Sequence, residues 1–253
     1  MRSTIRLGAR ALVLAGLVAA ATVVTAAPAS AHATVSLRSP GVGQRLTAAS
    51  GTVSASVSLG THPTGGTEVS KVDMTIDQVG TNRSPIEASA TPSGGNVSFP
   101  FNLPYNGRYR VSVRAAWSHT GLVLGESTGT ANDGPRDFVV VAPPASPTDV
   151  KVAVDATARS VTVTWKPNAE PDMLFYVVQR AKGTSNEFTV LGKATEAKFV
   201  DASTAEAGGD YRYQVVAVRA GATEEEGISS DPSGITAEST AKVPDPPPPP
   251  TTA

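Results

Sequence analysis

His32, His62 and His119 are the only imidazoles in this chain of 253 residues, so acid–base work near neutral pH would have to run through them. His62 lies in Thr61-His62-Pro63-Thr64-Gly65-Gly66 and His119 in Trp117-Ser118-His119-Thr120-Gly121, and both segments read as exposed loops. Nucleophilic catalysis needs a nucleophile, a base and an orienting group that converge from rigid positions. No Gly-x-Ser-x-Gly elbow occurs, and no aspartate is tied to either loop histidine by spacing. Glu224, Glu225 and Glu226 are the candidate carboxyls for glycoside cleavage. Adjacent acids on a turn point into solvent in different directions, whereas that chemistry needs two carboxyls opposed across a cleft. The expectation is therefore no catalytic residue, no metal site, no cofactor and no enzyme activity.

Binding chemistry has better candidates. Arg108, Arg110 and Arg114 share one phase of an alternating run, which places all three on the outward face of a strand. Guanidinium groups match phosphate and carboxylate bidentately, so the stripe is the candidate contact for an anionic cell-wall polymer, against the plain alternative of a solvated face. Trp117 and Tyr105 could stack on a sugar ring, but sugar platforms need several coplanar aromatics, and packing is the expectation for both.

His32 is a separate case. Cleavage after Ala31 would leave it N-terminal, where amine and imidazole together chelate copper. The run His32-Ala33-Thr34-Val35, followed by Ser39-Pro40-Gly41-Val42-Gly43, resembles the start of the periplasmic copper-resistance sandwich proteins. That resemblance implies an Asp-Gly-His near the end of the domain. Here the chain has Asn132-Asp133-Gly134-Pro135, with proline where the histidine ligand belongs.

The start of the chain bears on location. Arg2, Arg6 and Arg10 form a basic segment, Leu12 to Val24 an apolar run, and Ala29-Ser30-Ala31 a small-x-small cleavage site; Ala31-His32-Ala33 offers a second. Residues 1–31 are thus expected to be a signal peptide, bacterial in style, and the mature chain secreted or held at the cell surface. Without its three arginines the chain keeps 18 Lys and Arg against 22 Asp and Glu, a net charge of −4. That balance gives no reason to expect nucleic acid as a partner. No later stretch is apolar for long enough to span a bilayer, so no transmembrane segment is expected in the mature chain. Cysteine is absent, so each domain must stand on its own core.

The elements that would position these residues are all strands. Val53, Ala55, Val57 and Leu59 alternate with small polar residues, as do Val72, Met74 and Ile76, and Val97, Phe99, Phe101 and Leu103. No stretch has sustained helical periodicity. The run Gly107-Arg108-Tyr109-Arg110-Val111-Ser112-Val113 returns 102 residues later as Gly209-Asp210-Tyr211-Arg212-Tyr213-Gln214-Val215, with Gly, Tyr, Arg and Val coinciding. A tyrosine opening such a strand suits a tyrosine corner, its hydroxyl bonding back to the upstream backbone. Further strands are expected near 149–154, 160–166, 174–181, 187–192, 197–201, 210–219 and 227–237. Their core would be Val150, Val152, Val161, Val163, Trp165, Tyr176, Val178, Phe199, Tyr211, Tyr213, Val215 and Ala217.

The order Trp165, Tyr176, Tyr211, then Ser230-Asp231-Pro232-Ser233 resembles a fibronectin type III module over about residues 144–241. The preceding region resembles a bacterial immunoglobulin-like module. The fold class expected is all-β, two tandem sandwiches: signal peptide 1–31, immunoglobulin-like sandwich 32–141, proline-rich linker 142–147, fibronectin type III sandwich 148–241 and proline-rich disordered tail 242–253. The function expected is non-catalytic: a structural, adhesion or spacer protein presenting its modules at the cell surface. Its partner would be cell-wall or extracellular polysaccharide or another surface protein. An accessory module of a polysaccharide-degrading glycosidase system is the alternative, because bacterial fibronectin type III modules accompany glycosidases. A copper-binding secreted protein stands third.

Overall fold

The computed structural model describes residues 32–60, 65–121, 125–203, 209–222, 227–230 and 240–244. His62, Glu224, Glu225, Glu226 and residues 1–31 lie outside the described residues. The chain divides into two units, Met1–Ala31 and His32–Ala253, and all that follows concerns the second.

Alternation of apolar and polar side chains produces two β-sandwiches. The first is built from β1 (Ala33–Ser39), β2 (Arg45–Leu46), β3 (Ser50–Leu59), β4 (Gly66–Gln78), β5 (Ile86–Ala90), β6 (Asn96–Asn102), β7 (Gly107–Gly121) and β8 (Gly125–Val140). One sheet has the order β1-β3-β6 and the other β2-β8-β7-β4-β5. Every pairing is antiparallel except the short β2–β8 contact. Side chains a period of two apart fall on one face, so Val53, Ala55 and Val57 meet Val72, Met74, Ile76, Phe99, Val111 and Val113 in one core. Leu59 keeps the inward phase yet is half exposed, because it sits where β3 ends against Ala33. Asp133 on β8 ties the two sheets together by accepting the Leu37 amide of β1 at 2.7 Å.

The second sandwich comprises β9 (Thr148–Asp155), β10 (Ser160–Lys166), β11 (Met173–Lys182), β12 (Thr189–Ala194), β13 (Lys198–Asp201), β14 (Gly209–Ala220), β15 (Gly227–Ser229) and β16 (Thr240–Val243). Its sheets run β13-β10-β9 and β12-β11-β14-β15, with β16 also paired to β14. Trp165 sits under Tyr176, ring centroids 5.1 Å apart and edge to face, within a core that includes Val150, Val161, Val163, Val178, Tyr211, Tyr213, Val215 and Ala217. Val152 and Phe199 are partly buried against it.

The end of this sandwich differs from the sequence reading. A strand was expected over 227–237; β15 stops at Ser229, and residues 231–239 lie outside the described residues. Lys242 and Val243, expected in the tail, belong instead to β16, where Lys242 pairs with Asp210 and Val243 is buried; residues 245–253 lie outside the described residues. The short alternation Ala241-Lys242-Val243 turns two apolar side chains inward, a signal masked in the sequence by the proline run behind it.

Candidate functional site

The outer face of β7 carries the arginines. Tyr109, Val111, Val113 and Ala115 turn inward and are buried, so Arg108, Arg110 and Arg114 turn outward and are exposed. Antiparallel pairing with β8 sets Asp137 opposite Arg110. Arg110 Nε donates to Asp137 Oδ1 at 2.8 Å, and Arg108 Nη2 stands 3.6 Å from Oδ2. The bond from Arg110, with the positive charges of both arginines, holds the Asp137 carboxyl below its ordinary range. On the other side β4 sets Asp73 opposite Arg114, and Asp73 is bonded by Ser89 Oγ at 2.5 Å and Lys71 Nζ at 2.9 Å. The face is thus a ladder of alternating cations and acids, not a bare basic stripe, and only Arg114 of the three arginines borders the groove of about 600 Å³ that Lys71, Asp73 and Asp133 also line. Such exposed pairs are screened by solvent and add little to stability.

Each aromatic already has one face covered. The Arg83 guanidinium lies 3.6 Å from the Tyr105 ring centre. Trp117 is partly buried, with His32 stacked on it at 4.6 Å. Gly129 faces Trp117 across the β7–β8 ladder, and a Cβ there would fall 2.4 Å from the indole, so only glycine lets the ring lie flat on β8. His119 departs from the loop reading: it belongs to β7, is buried, and has Nδ1 3.1 Å from Thr67 Oγ1 on β4. The segment Trp117 to Gly121 looked like a turn because of Ser, Thr and Gly, but pairing with both β4 and β8 carries the strand on to Gly121. In the Asp133-Gly134-Pro135 segment the aspartate is committed within the fold. Asp133 is engaged by the amides of Leu37 and Gly134 and by Arg136, and these bonds outweigh burial to hold its carboxyl low.

The most deeply built polar cluster joins the two sandwiches. Asn106, just before β7, is 5 % exposed. Its Nδ2 donates to the carbonyls of Ala142 at 2.8 Å and Ala220 at 2.7 Å, and its Oδ1 accepts the Ala142 amide at 2.8 Å. Its own amide donates to Asp172 Oδ2 at 2.8 Å. Arg219, at the end of β14 and only 2 % exposed, donates through Nε to Asp172 Oδ1 at 2.8 Å and through Nη2 to the Pro104 carbonyl at 2.7 Å. The proline-rich linker is pinned as well: the Ala145 amide donates to Glu170 Oε1 at 2.6 Å, and Asn168 Nδ2 donates to the Ala145 carbonyl at 2.8 Å. Burial pushes the Glu170 carboxyl up, but the bonds from Ala145 and Asn168 outweigh it and the carboxyl titrates low. A cleft of about 610 Å³, lined in part by Thr47, Pro104, Pro143, Asn168 and Arg219, lies alongside.

Asn106, Asp172 and Arg219 were not singled out from sequence. One signal was available: Arg219 continues the inward phase of Tyr211, Tyr213, Val215 and Ala217, where a charged group must find a buried partner.

No curated protein matches this chain. A crystal structure of titin domains is 18% identical over 83% of this chain and 67% of that one, with a TM-score of 0.33. The crystal structure of an Fn3-like protein from Clostridium thermocellum is 23% identical over 42% of this chain and 99% of that one, with a TM-score of 0.33. The crystal structure of chicken CNTN1 FN1-FN3 domains is 15% identical, covering 85% of this chain and 69% of that one, with a TM-score of 0.34. Residues 145–232, which span β9 to β15, match the Fibronectin type III domain family.

Proposed function

We propose that the chain is an exported, non-catalytic spacer or adhesion protein that presents two β-sandwich modules at the cell surface. The observation that carries this reading is the buried junction of Asn106, Asp172 and Arg219, which fixes one module against the other. A flexible linker suffices where modules work independently; burying an arginine and an asparagine between them is a cost that a fixed mutual orientation repays. A fibronectin type III domain at residues 145–232 supports a structural role. The exposed ladder of Arg108, Arg110 and Arg114 is the face offered to an anionic wall polymer or to another surface protein.

Fractionation of producing cells tests the reading. The protein is expected in the medium or on the surface with the intact mass of a chain starting at His32 or, for the second cleavage site, at Thr34, releasing no reducing sugar from wall polysaccharides. Retention on isolated walls is expected to weaken with salt and with charge reversal of the three arginines. Recovery from the cytoplasm at full mass would remove export. Wall retention that ignores both salt and charge reversal would remove the arginine face as the contact.

A further inference from the structure

Asn106-Gly107 is the one Asn-Gly step in the chain, and it stands at the junction of the two sandwiches. Each residue is required by its position. Gly107 takes a φ of 140°, and a Cβ there would fall 2.9 Å from Gln78 Nε2. Asn106 meets two carbonyls and one amide at once, which takes a donor and an acceptor on one short side chain. The same pair is chemically labile: asparagine amides are heat-sensitive, and glycine puts no Cβ between its amide nitrogen and the preceding side chain. The closed junction opposes that chemistry. Both residues are buried, Gly107 is paired with Val140 in the β7–β8 ladder, and Oδ1 and Nδ2 of Asn106 are both engaged.

We propose that Asn106 is a self-modification site, protected while the sandwiches are joined and deamidated once they part. Two of its partners, the Ala220 carbonyl and the Asp172 carboxylate, lie on the second sandwich, so separation leaves only the bonds to Ala142 and admits water. The Gly107 amide nitrogen then attacks Asn106 Cγ. A bond forms between that nitrogen and Cγ, the Cγ–Nδ2 bond breaks, and Nδ2 leaves as ammonia with the proton from the Gly107 amide. Water opens the resulting five-membered imide to aspartate or isoaspartate. The net change is amide plus water to carboxylic acid plus ammonia, with no oxidant or reductant. The product cannot close the junction again. Where Nδ2 donated, an oxygen would face the carbonyls of Ala142 and Ala220, and a new negative charge would join Asp172 in one buried cluster. The isoaspartate form also adds a methylene to the backbone just ahead of β7. A first opening is therefore recorded permanently, and a fixed joint becomes a hinge. The proposal rests on the junction that carries the proposed function, but it needs neither export nor a surface partner, which the fractionation tests separately.

The test holds residues 32–253 in mildly alkaline buffer, native and in urea, and follows the Asn106 peptide by mass spectrometry for conversion of amide to acid. Conversion is expected to be fast in urea and slow in the native protein. Asp172→Ala removes a partner on the second sandwich and leaves Asn106-Gly107 intact. It should convert at least about tenfold faster than the unmutated chain in native buffer, because reaction follows the open population. Protein deamidated in urea and refolded should show two calorimetric transitions, as should Asn106→Asp, whereas a brief passage through urea should leave one. Equal rates in native buffer and in urea would overturn the proposal, as would equal native rates with and without Asp172. So would a single transition in the deamidated protein, a measurement that does not depend on any variant folding.

Discussion

Tyr109 and Tyr211 each stand two residues after a glycine with positive φ, 140° at Gly107 and 132° at Gly209, a backbone state that costs glycine little. The Tyr109 hydroxyl donates to the Tyr105 carbonyl at 2.8 Å, and burial pushes its phenol up to about 12. Residues 204–208, upstream of Tyr211, where its expected corner bond falls, lie outside the described residues. Tyr109→Phe keeps the ring and deletes one bond, and a loss of about 1 kcal/mol is expected on urea unfolding. An unchanged midpoint would show that the hydroxyl contributes nothing. The Gly-x-Tyr repeat was legible because both local requirements, a permissive backbone and a ring turned inward, leave residue types behind. The burial of His119 left no such trace, since it follows from which strands flank it.

At the level of elements, β13 in one sheet is fastened to β11 and β14 in the other through Asp201, which is 3 % exposed. Its carboxylate accepts Ser203 Oγ at 2.6 Å, Arg180 Nη1 at 2.7 Å and the Tyr213 hydroxyl at 2.9 Å. Burial alone would raise the carboxyl, but these bonds outweigh it and hold it below the usual value, while burial and the bond to Asp201 push the Tyr213 phenol up. A carboxylate lowered on folding adds stability above its unfolded pKa of about 3.9 and gives it up as pH falls through the lower folded value. The melting temperature of the protein is therefore expected to fall below pH ~4. Asp201→Asn should lower it at neutral pH and flatten that acid limb; an equally steep limb in the variant would place the acid sensitivity elsewhere. Alternation located β10, β11 and β14 from sequence. It also put Asp201 in the inward phase of Phe199, but periodicity cannot tell which inward polar group bridges two sheets.

For the whole molecule, the junction decides whether the two sandwiches behave as one body. Asn106→Ala leaves the Ala142 amide and the carbonyls of Ala142 and Ala220 buried without their partner, at a cost of about 1–3 kcal/mol. Calorimetry of residues 32–253 is expected to show one cooperative transition that separates into two in this variant. Two transitions in the unmutated protein would mean that the contacts do not couple the modules. Sequence gave notice of a boundary, through the prolines near residue 143, but not of its stiffness, which resides in groups from three separate segments. If the orientation is fixed, the distance between a patch on the first sandwich and a patch on the second is constant. Two contacts borne on such a body would act as a caliper: on a lattice whose sites recur at that distance, the second contact would be nearly free of entropic cost, whereas on any other spacing only one could hold.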